Sequence, residues 1–265
     1  MEIGEAVGTI WAVMDDKPLC KKKDDDPDEN WECRIGNVGE LPTPTAAKLN
    51  ENMKTDKVFT PKDPKKIGSD WDLYACSQTA FPYQSHHLIP KMHLPKHDVC
   101  MWLTKKKPGK EWALKSSTNY DTDGSRNGLA LPFASNTYQW KHTKNPIKKD
   151  AICNKMMQLT GRQLHQGSHT YIDYGEEDSL HSTEGQGYLG AVDDLLTMVS
   201  MQVLEHVEVC EDCKKTDKKP RKVRPLERVV EAMYEVSAVI KTMIAARTIF
   251  VSERAANYRK PARGE

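Results

Sequence analysis

The sequence predicts an α+β protein, and three observations support this class. The chain has 265 residues, of which 38% are hydrophobic, so it can bury a real core while keeping long polar surface segments. Residues 71–174 consist of short segments broken by Gly, Pro, Asn and Asp, which is typical of a loop-rich α+β domain. After Gly190 the apolar residues recur at helical spacing.

These patterns predict three regions along the chain. Residues 1–70 are predicted to be a loop-rich head, because they hold opposed charge runs and two proline-rich turns. Residues 71–185 are predicted to be the catalytic domain, and residues 186–265 a helical hairpin with a basic loop at 210–224. The hairpin rests on two apolar stripes, Val192, Leu195, Leu196, Val199, Val203 and Val207, then Val229, Met233, Val236, Ile240, Met243 and Ile244. Mutual packing of the stripes is favoured over a partner-binding groove.

Charge and hydropathy exclude several classes of protein. The chain has 39 Lys and Arg against 38 Asp and Glu, so a nucleic-acid partner must be held by a local basic patch. Lys105–Lys110 and Lys214–Arg224 are the candidates. No run approaches about 18 uncharged apolar residues, so no membrane-spanning helix is expected. The acidic N-terminal residues Glu2, Glu5 and Asp15 also argue against a cleaved secretory signal.

The cysteines give a weak signal. Seven are present, and without a signal peptide free thiols are the first interpretation. Cys210 and Cys213 have ligand-like spacing, and a structural zinc there, joined by Cys20 and Cys33, is the alternative.

The histidines carry the chemistry. Two clusters, Ser85-His86-His87-Leu88-Ile89-Pro90 and His165-Gln166-Gly167-Ser168-His169, flank Asn127-Gly128-Leu129-Ala130-Leu131-Pro132. Phosphodiester hydrolysis needs a base of near-neutral pKa and a metal on the scissile phosphate. Neighbouring histidines can divide these roles, one on the metal and one on water. Because consecutive strand residues face opposite ways, His86 and His87 can share one site only at a strand end or an irregular turn.

These motifs in this order resemble the AHH branch of the HNH, or His-Me finger, endonucleases. The resemblance implies a small ββα-metal nuclease core with loop insertions. It makes His87 the general base, His86 a metal ligand and His169 the ligand on the helix, with His165 as an additional ligand. Asn127 would hold the loop of the base in place. Two registers stay open: either residues 163–171 form one helix, or Ser168 caps a helix that begins at His169.

The same resemblance implies a metal-dependent, largely sequence-nonspecific endonuclease acting on DNA, with RNA as a further substrate class. It implies one divalent ion, Mg²⁺ first and Zn²⁺, Ni²⁺ or Mn²⁺ as alternatives. Relatives of this kind are bacterial polymorphic toxins and type VI secretion effectors. The expected partners are therefore an immunity protein and a secretion adaptor or chaperone that could load the head. The protein would be made in the bacterial cytoplasm and act in that of a target cell. The alternatives are an intracellular phage- or repair-type HNH nuclease and a non-enzymatic, zinc-stabilised binding module.

Overall fold

The computed structural model describes residues 20–22, 31–33, 45–103, 112–114, 120–166, 169, 186–209, 221–223 and 227–258. Helices and strands both occur in these ranges, so the structure is compatible with the α+β class, while the ββα-metal core stays a prediction. The α-helices are α1 (Ala46–Thr55), α2 (Tyr138–Lys141), α3 (Pro146–Thr160), α4 (Tyr188–Val209), α5 (Glu227–Ala246) and α6 (Glu253–Tyr258). None of these described helices is long and apolar enough to cross a membrane.

The strands are short and pair in twos. Antiparallel pairing joins β1 to β2, β3 to β4 and β5 to β7, and parallel pairing joins β6 to β9 and β8 to β10. Their bounds are β1 (Cys20–Lys22), β2 (Trp31–Cys33), β3 (Lys66–Ile67), β4 (Asp70–Trp71), β5 (Tyr83–His87), β6 (Trp112–Leu114), β7 (Gly128–Pro132), β8 (Gln186–Gly187), β9 (Arg221–Val223) and β10 (Ile249–Phe250).

The chain divides into two compact units, each built from separate stretches of sequence. The first unit comprises Met1–Thr45, Ile89–Asn127 and Asp193–Val239. The second comprises Ala46–Leu88, Gly128–Val192 and Ile240–Glu265. The second unit therefore contains both histidine clusters of the sequence.

The β5–β7 ladder lies in the second unit, and α1 covers one of its faces. His86 pairs with Leu129 and His87 with Gly128. On the face of α1, Leu49, Met53 and Ala130 form a buried cluster. A Cβ on Gly128 would lie 2.6 Å from Met53 Sδ, so a larger residue here would force the Met53 side chain to shift.

α1 falls within the region predicted to be a loop-rich head, which is a correction to that prediction for Ala46–Thr55. Only Leu49 and Met53 of this helix are buried. Two apolar residues four apart are too weak a periodic signal to stand out in a polar segment.

α3 has capping groups at both ends. The side chain of Asn145 accepts hydrogen bonds from the N–H groups of Ile147 and Lys148 at 2.9 and 3.3 Å. At the other end Gly161 adopts a left-handed φ of 66° and donates its N–H to the Met157 carbonyl. The buried side of α3 belongs to the core cluster of this unit, whose members include Leu73, Phe81, Ile152, Met156, Leu164 and Phe250.

Both predicted apolar stripes are buried. Every stripe residue with a described side chain is at most 4% exposed, and Val207 lies outside that set. The helices α4 and α5 confirm the helical periodicity, while mutual packing of the stripes stays a prediction. The basic loop is described only at Arg221–Val223, which pairs with Trp112–Leu114 as β9 with β6.

Candidate metal centre

Three histidines of the second unit converge on one point. The ligand nitrogens of His86, His165 and His169 all lie within 4.8 Å of one another. Their ring centroids are 4.9 Å apart for His86 and His165, 5.0 Å for His86 and His169, and 5.7 Å for His165 and His169. The structure thus brings together the three residues that the sequence analysis named as metal ligands.

His86 comes from β5, whereas His165 and His169 follow α3 and belong to neither a helix nor a strand. Residues 163–166 are not helical, so the register with one helix over 163–171 is wrong. The left-handed Gly161 ends α3 two residues before Gln163 and redirects the chain. The register with Ser168 as a cap falls on residues outside the described ranges.

Gln163 fixes the segment 163–166 against the C-terminal part of the second unit. Its amide Nε2 donates to the carbonyls of Ile244 and Ile249 at 2.8 and 2.6 Å, and its Oε1 accepts from the Val251 N–H at 2.9 Å. The His165 N–H donates to the Pro132 carbonyl at the end of β7, at 2.9 Å. A buried amide with its hydrogen bonds satisfied in this way helps to hold the segment in one position.

Hydrogen bonds assign the proton on two of the three imidazoles. His165 Nδ1 lies 2.7 Å from Gln84 Oε1, and His169 Nδ1 lies 3.1 Å from the Val251 carbonyl oxygen. A carbonyl oxygen only accepts, so Nδ1–H donates in both cases and the lone pair is on Nε2. Partners of this type orient the histidines of metal sites and raise their basicity.

Tyr188 assigns the proton of the third imidazole. Its hydroxyl donates its single proton to the backbone carbonyls of His87, at 2.9 Å, and Leu88. Toward His86 Nε2, 2.9 Å away, the hydroxyl must therefore act as acceptor. His86 Nε2 carries the proton, and its lone pair is on Nδ1. Each of the three histidines thus keeps one ring nitrogen with a lone pair that is not used in these hydrogen bonds.

Burial keeps these imidazoles neutral. It is the main reason that the pKa of His86 lies well below the ordinary 6.5, and charges on His165 and His169 would lower it further. Burial first, and the His169 charge second, lower the pKa of His165 to about 4. Burial also lowers the pKa of His169, against an opposing effect of its bond to Val251. At pH 7 the centre is a set of neutral donors, which is the form that binds metals.

The donor set fits a transition-metal ion. Imidazole nitrogen suits Zn²⁺, Ni²⁺, Cu²⁺ and Fe²⁺, whereas Mg²⁺ prefers oxygen ligands in octahedral geometry. Among the described residues, the cluster that could hold an ion contains three histidines and no carboxylate. Of the ions named in the sequence analysis, Zn²⁺ and Ni²⁺ match these three imidazole donors, and the identity of the ion stays a prediction.

His87 lies beside this cluster without belonging to it. It is the last residue of β5, is 8% exposed and is not part of the ligand group. Its charge would nevertheless lower the pKa of both His86 and His165, so the ring is within electrostatic range of the centre. His87 therefore lies at a strand end, as a shared site would require, and its part in the site stays a prediction.

Asn127 belongs to the first unit and is fully buried. Its Oδ1 accepts from the Ile89 N–H at 2.8 Å and from Ser237 Oγ at 3.0 Å. Its Nδ2 donates to the carbonyls of Thr122 and Ile89 at 2.9 and 3.2 Å. Asn127 therefore fixes the backbone at Ile89, while its role toward the general base stays a prediction.

Some predicted features fall elsewhere. Cys210, Cys213, Lys105–Lys110 and most of Lys214–Arg224 lie outside the described residues. Cys20 and Cys33 face each other as backbone partners in β1 and β2. Cys76 and Cys153 are free and buried, and burial raises the pKa of each to about 11, which makes both thiols unreactive at neutral pH.

The sequence analysis missed the residues that orient the ligands. Gln84 shares the strand face of His86 because it lies two residues before it, so the period-2 pattern could have identified it. Tyr188 is 102 residues from His86, and no local pattern connects the two. Gln163 and Val251 act through backbone contacts that depend on the tertiary fold.

No protein-family model, curated protein or solved structure matches the chain. The resemblance to the AHH nucleases therefore rests on the sequence motifs alone.

Proposed function

We propose that this protein is a metal-dependent endonuclease that hydrolyses the phosphodiester bonds of DNA, with little sequence specificity. His86, His165 and His169 would hold the ion, and His87 would be the general base. The observation that carries the proposal is the convergence of three neutral imidazoles, whose ligand nitrogens lie within 4.8 Å of one another. A further histidine, His87, ends the strand that carries His86.

A centre with three ligands among the described residues is better suited to catalysis than to structure. Structural zinc sites usually have four protein ligands, whereas catalytic sites have three and leave one position for water or substrate. His165 and His169 are partly exposed, so solvent and substrate can reach that side of the centre. A bound divalent ion would supply positive charge to the scissile phosphate and its leaving oxygen.

His87 would take a proton from the attacking water. General-base catalysis works best when the base titrates near the working pH, and imidazole does so. The hydroxyl of Tyr188 donates to the His87 carbonyl, and Asn127 holds Ile89. These two contacts fix the backbone on either side of Leu88, so they favour one position for the base.

The resemblance to the AHH nucleases supports a nucleic-acid substrate and an antibacterial setting. The antiparallel β5–β7 pair would supply the two strands of a ββα-metal core, and the residues that would form its helix lie outside the described ranges. The basic segments Lys105–Lys110 and Lys214–Arg224 would hold the phosphate backbone without reading bases. An antibacterial effector with a cognate immunity protein is the setting that such a nuclease favours.

The test is plasmid cleavage by the purified protein loaded with Zn²⁺, Ni²⁺, Mn²⁺ or Mg²⁺, with and without EDTA. The wild type should nick plasmid and EDTA should stop it. His87→Ala should lower the rate by about 10² to 10⁴ while metal content, measured by elemental analysis, stays at the wild-type level. His142→Ala, at an exposed histidine of the same unit, is the control and should cleave normally.

Two results would overturn the proposal. If His87→Ala cleaves at the wild-type rate, His87 is not the base. If the wild type binds the ion tightly, leaves DNA and RNA intact with every metal and unfolds on chelation, the centre is structural. The protein is then the zinc-stabilised module.

A further inference from the structure

A cavity of about 330 Å³ lies in the same unit as the histidine centre. This volume is within the range of small-molecule sites, about 300 to 1,000 Å³. Among the described residues that line it, three are cationic and none is acidic. The lining residues include Gln78, Leu129, Leu131, Arg162, Lys241 and Arg247.

Arg162 is the most constrained of the cations. Its guanidinium lies over the ring of Phe59, 4.2 Å from the centroid, and over Phe81, 5.8 Å away. Burial lowers its pKa, and no described carboxylate opposes the shift. Stacking on two rings fixes the plane of the guanidinium, so its hydrogen-bond donors are ordered before a ligand arrives. A fixed, partly desolvated guanidinium is suited to a phosphate oxygen pair.

The β5–β7 register places this cavity next to the histidine centre. Leu129 pairs with His86 and Leu131 pairs with Gln84. Directly opposite residues of an antiparallel pair project from the same face, so both leucines share the face of His86. Gln163 also lines the cavity, and it binds the N–H of Val251, whose carbonyl accepts from His169.

Charge, volume and position together indicate one kind of ligand. An anion of phosphate size would find cations and the amide of Gln78 around it, and no lining carboxylate among the described residues would repel it. A nucleic acid with one phosphate at the histidine centre carries further phosphates along the same strand. The cavity shares a strand face with the centre, so a neighbouring phosphate is the group best placed to enter it.

We infer that this cavity binds a phosphate of the nucleic acid that flanks the one to be cleaved, with Arg162 and Lys241 as its principal cations. The inference rests on the proposed function, because it takes the histidine centre as the cleavage site. Arg162 and Lys241 are positioning residues here, since they would hold the substrate without touching the reacting atoms.

The experiment measures binding of a labelled DNA duplex in EDTA, so that it does not depend on cleavage. The test variant is Arg162→Gln with Lys241→Gln. The matched control is Lys144→Gln with Lys148→Gln, two exposed cations of the same unit that do not line the cavity. Losing one phosphate contact should reduce the slope of log affinity against log salt by about 0.9 and the affinity by about eightfold at 0.1 M salt. The control should match the wild type.

Two further measurements separate the possible sources of the phosphate. Inorganic phosphate and a mononucleotide are each titrated into the wild type and the test variant by calorimetry. If the variant loses binding of free phosphate or mononucleotide but keeps its DNA affinity and salt slope, the cavity is a free-nucleotide site and the inference is wrong. If DNA affinity and slope are unchanged and the small anions do not bind, the three cations are ordinary surface charges and the inference is also wrong.

Folding and activity are checked separately. Lys241→Gln alone, at an exposed helical position, provides a variant that should fold even if loss of Arg162 stacking weakens the core. In the active enzyme the double variant should raise KM with kcat unchanged, since the contact is made equally in ground and transition states. A wild type that binds DNA through the cavity but never cleaves it would refute the proposed function and leave phosphate binding standing.

Discussion

His165 makes the metal-free protein sensitive to mild acid, and the size of the effect can be worked out. Burial lowers its folded-state pKa to about 4, whereas an unfolded histidine titrates near 6.5. Below pH 6.5 the unfolded chain therefore binds a proton that the folded chain does not, so stability falls as the pH drops toward 4. For one such group the loss between pH 7.5 and pH 5 is about 2 kcal/mol, and about 3 kcal/mol when the pH reaches 4.

The assay is urea unfolding in EDTA at pH 7.5 and pH 5, for the wild type and His165→Gln. The glutamine stays neutral at both pH values. The decrease in the free energy of unfolding from pH 7.5 to pH 5 should therefore be about 2 kcal/mol smaller in the variant than in the wild type. The difference is the readout because the substitution also changes absolute stability. Some acid sensitivity should remain, since burial also lowers the pKa of His86 and His169. His142→Gln, at an exposed position, should leave the difference unchanged. If His165→Gln keeps the full wild-type difference, His165 is not held neutral by burial.

Two further predictions concern the metal ligands and the contact between α1 and the β5–β7 ladder. Gln84→Ala removes the acceptor of the His165 proton and should weaken Zn²⁺ binding by about 10- to 100-fold; His169→Ala removes a ligand and should weaken it more. Equal Zn²⁺ affinity of all three proteins by competitive titration would contradict the assignment. Gly128→Ala should destabilise the protein by about 1 to 3 kcal/mol, because the new methyl meets Met53. Combined with Met53→Ala it should cost less than the two single changes added together, and strict additivity would show that the contact is not the cause.

The sequence predicted what depends on local patterns. The two long helices follow from apolar residues at steps of three and four, and side chains such as Leu196 and Val236 are fully buried. The end of α3 at Gly161 also has a local signal, because a glycine directly follows a helical run. That signal argues against the helix over residues 163–171, which would begin two residues later. α1 escaped prediction because its buried face is only Leu49 and Met53.

The grouping of the three histidines was expected from the order of the motifs, and no local rule produces it. His86 lies 79 and 83 residues before its two partners in the sequence, and what brings them together is backbone hydrogen bonding. Gln163 ties the second cluster to Val251, and the His165 N–H ties it to Pro132. These bonds depend on where distant carbonyls lie in the folded chain, and composition or spacing carries no information about that.

The same contacts bear on whether the centre is catalytic or structural. Gln84, Tyr188 and the Val251 carbonyl each fix one imidazole through a hydrogen bond to a protein group. A site held in this way does not need the metal to order it, unlike a zinc finger, in which binding and folding are the same event. The energy of metal binding is then available for polarising a substrate and is not consumed in folding the chain. Chelation should therefore abolish cleavage at a temperature where the fold, followed by circular dichroism, is still intact, and simultaneous loss of both would favour the structural role.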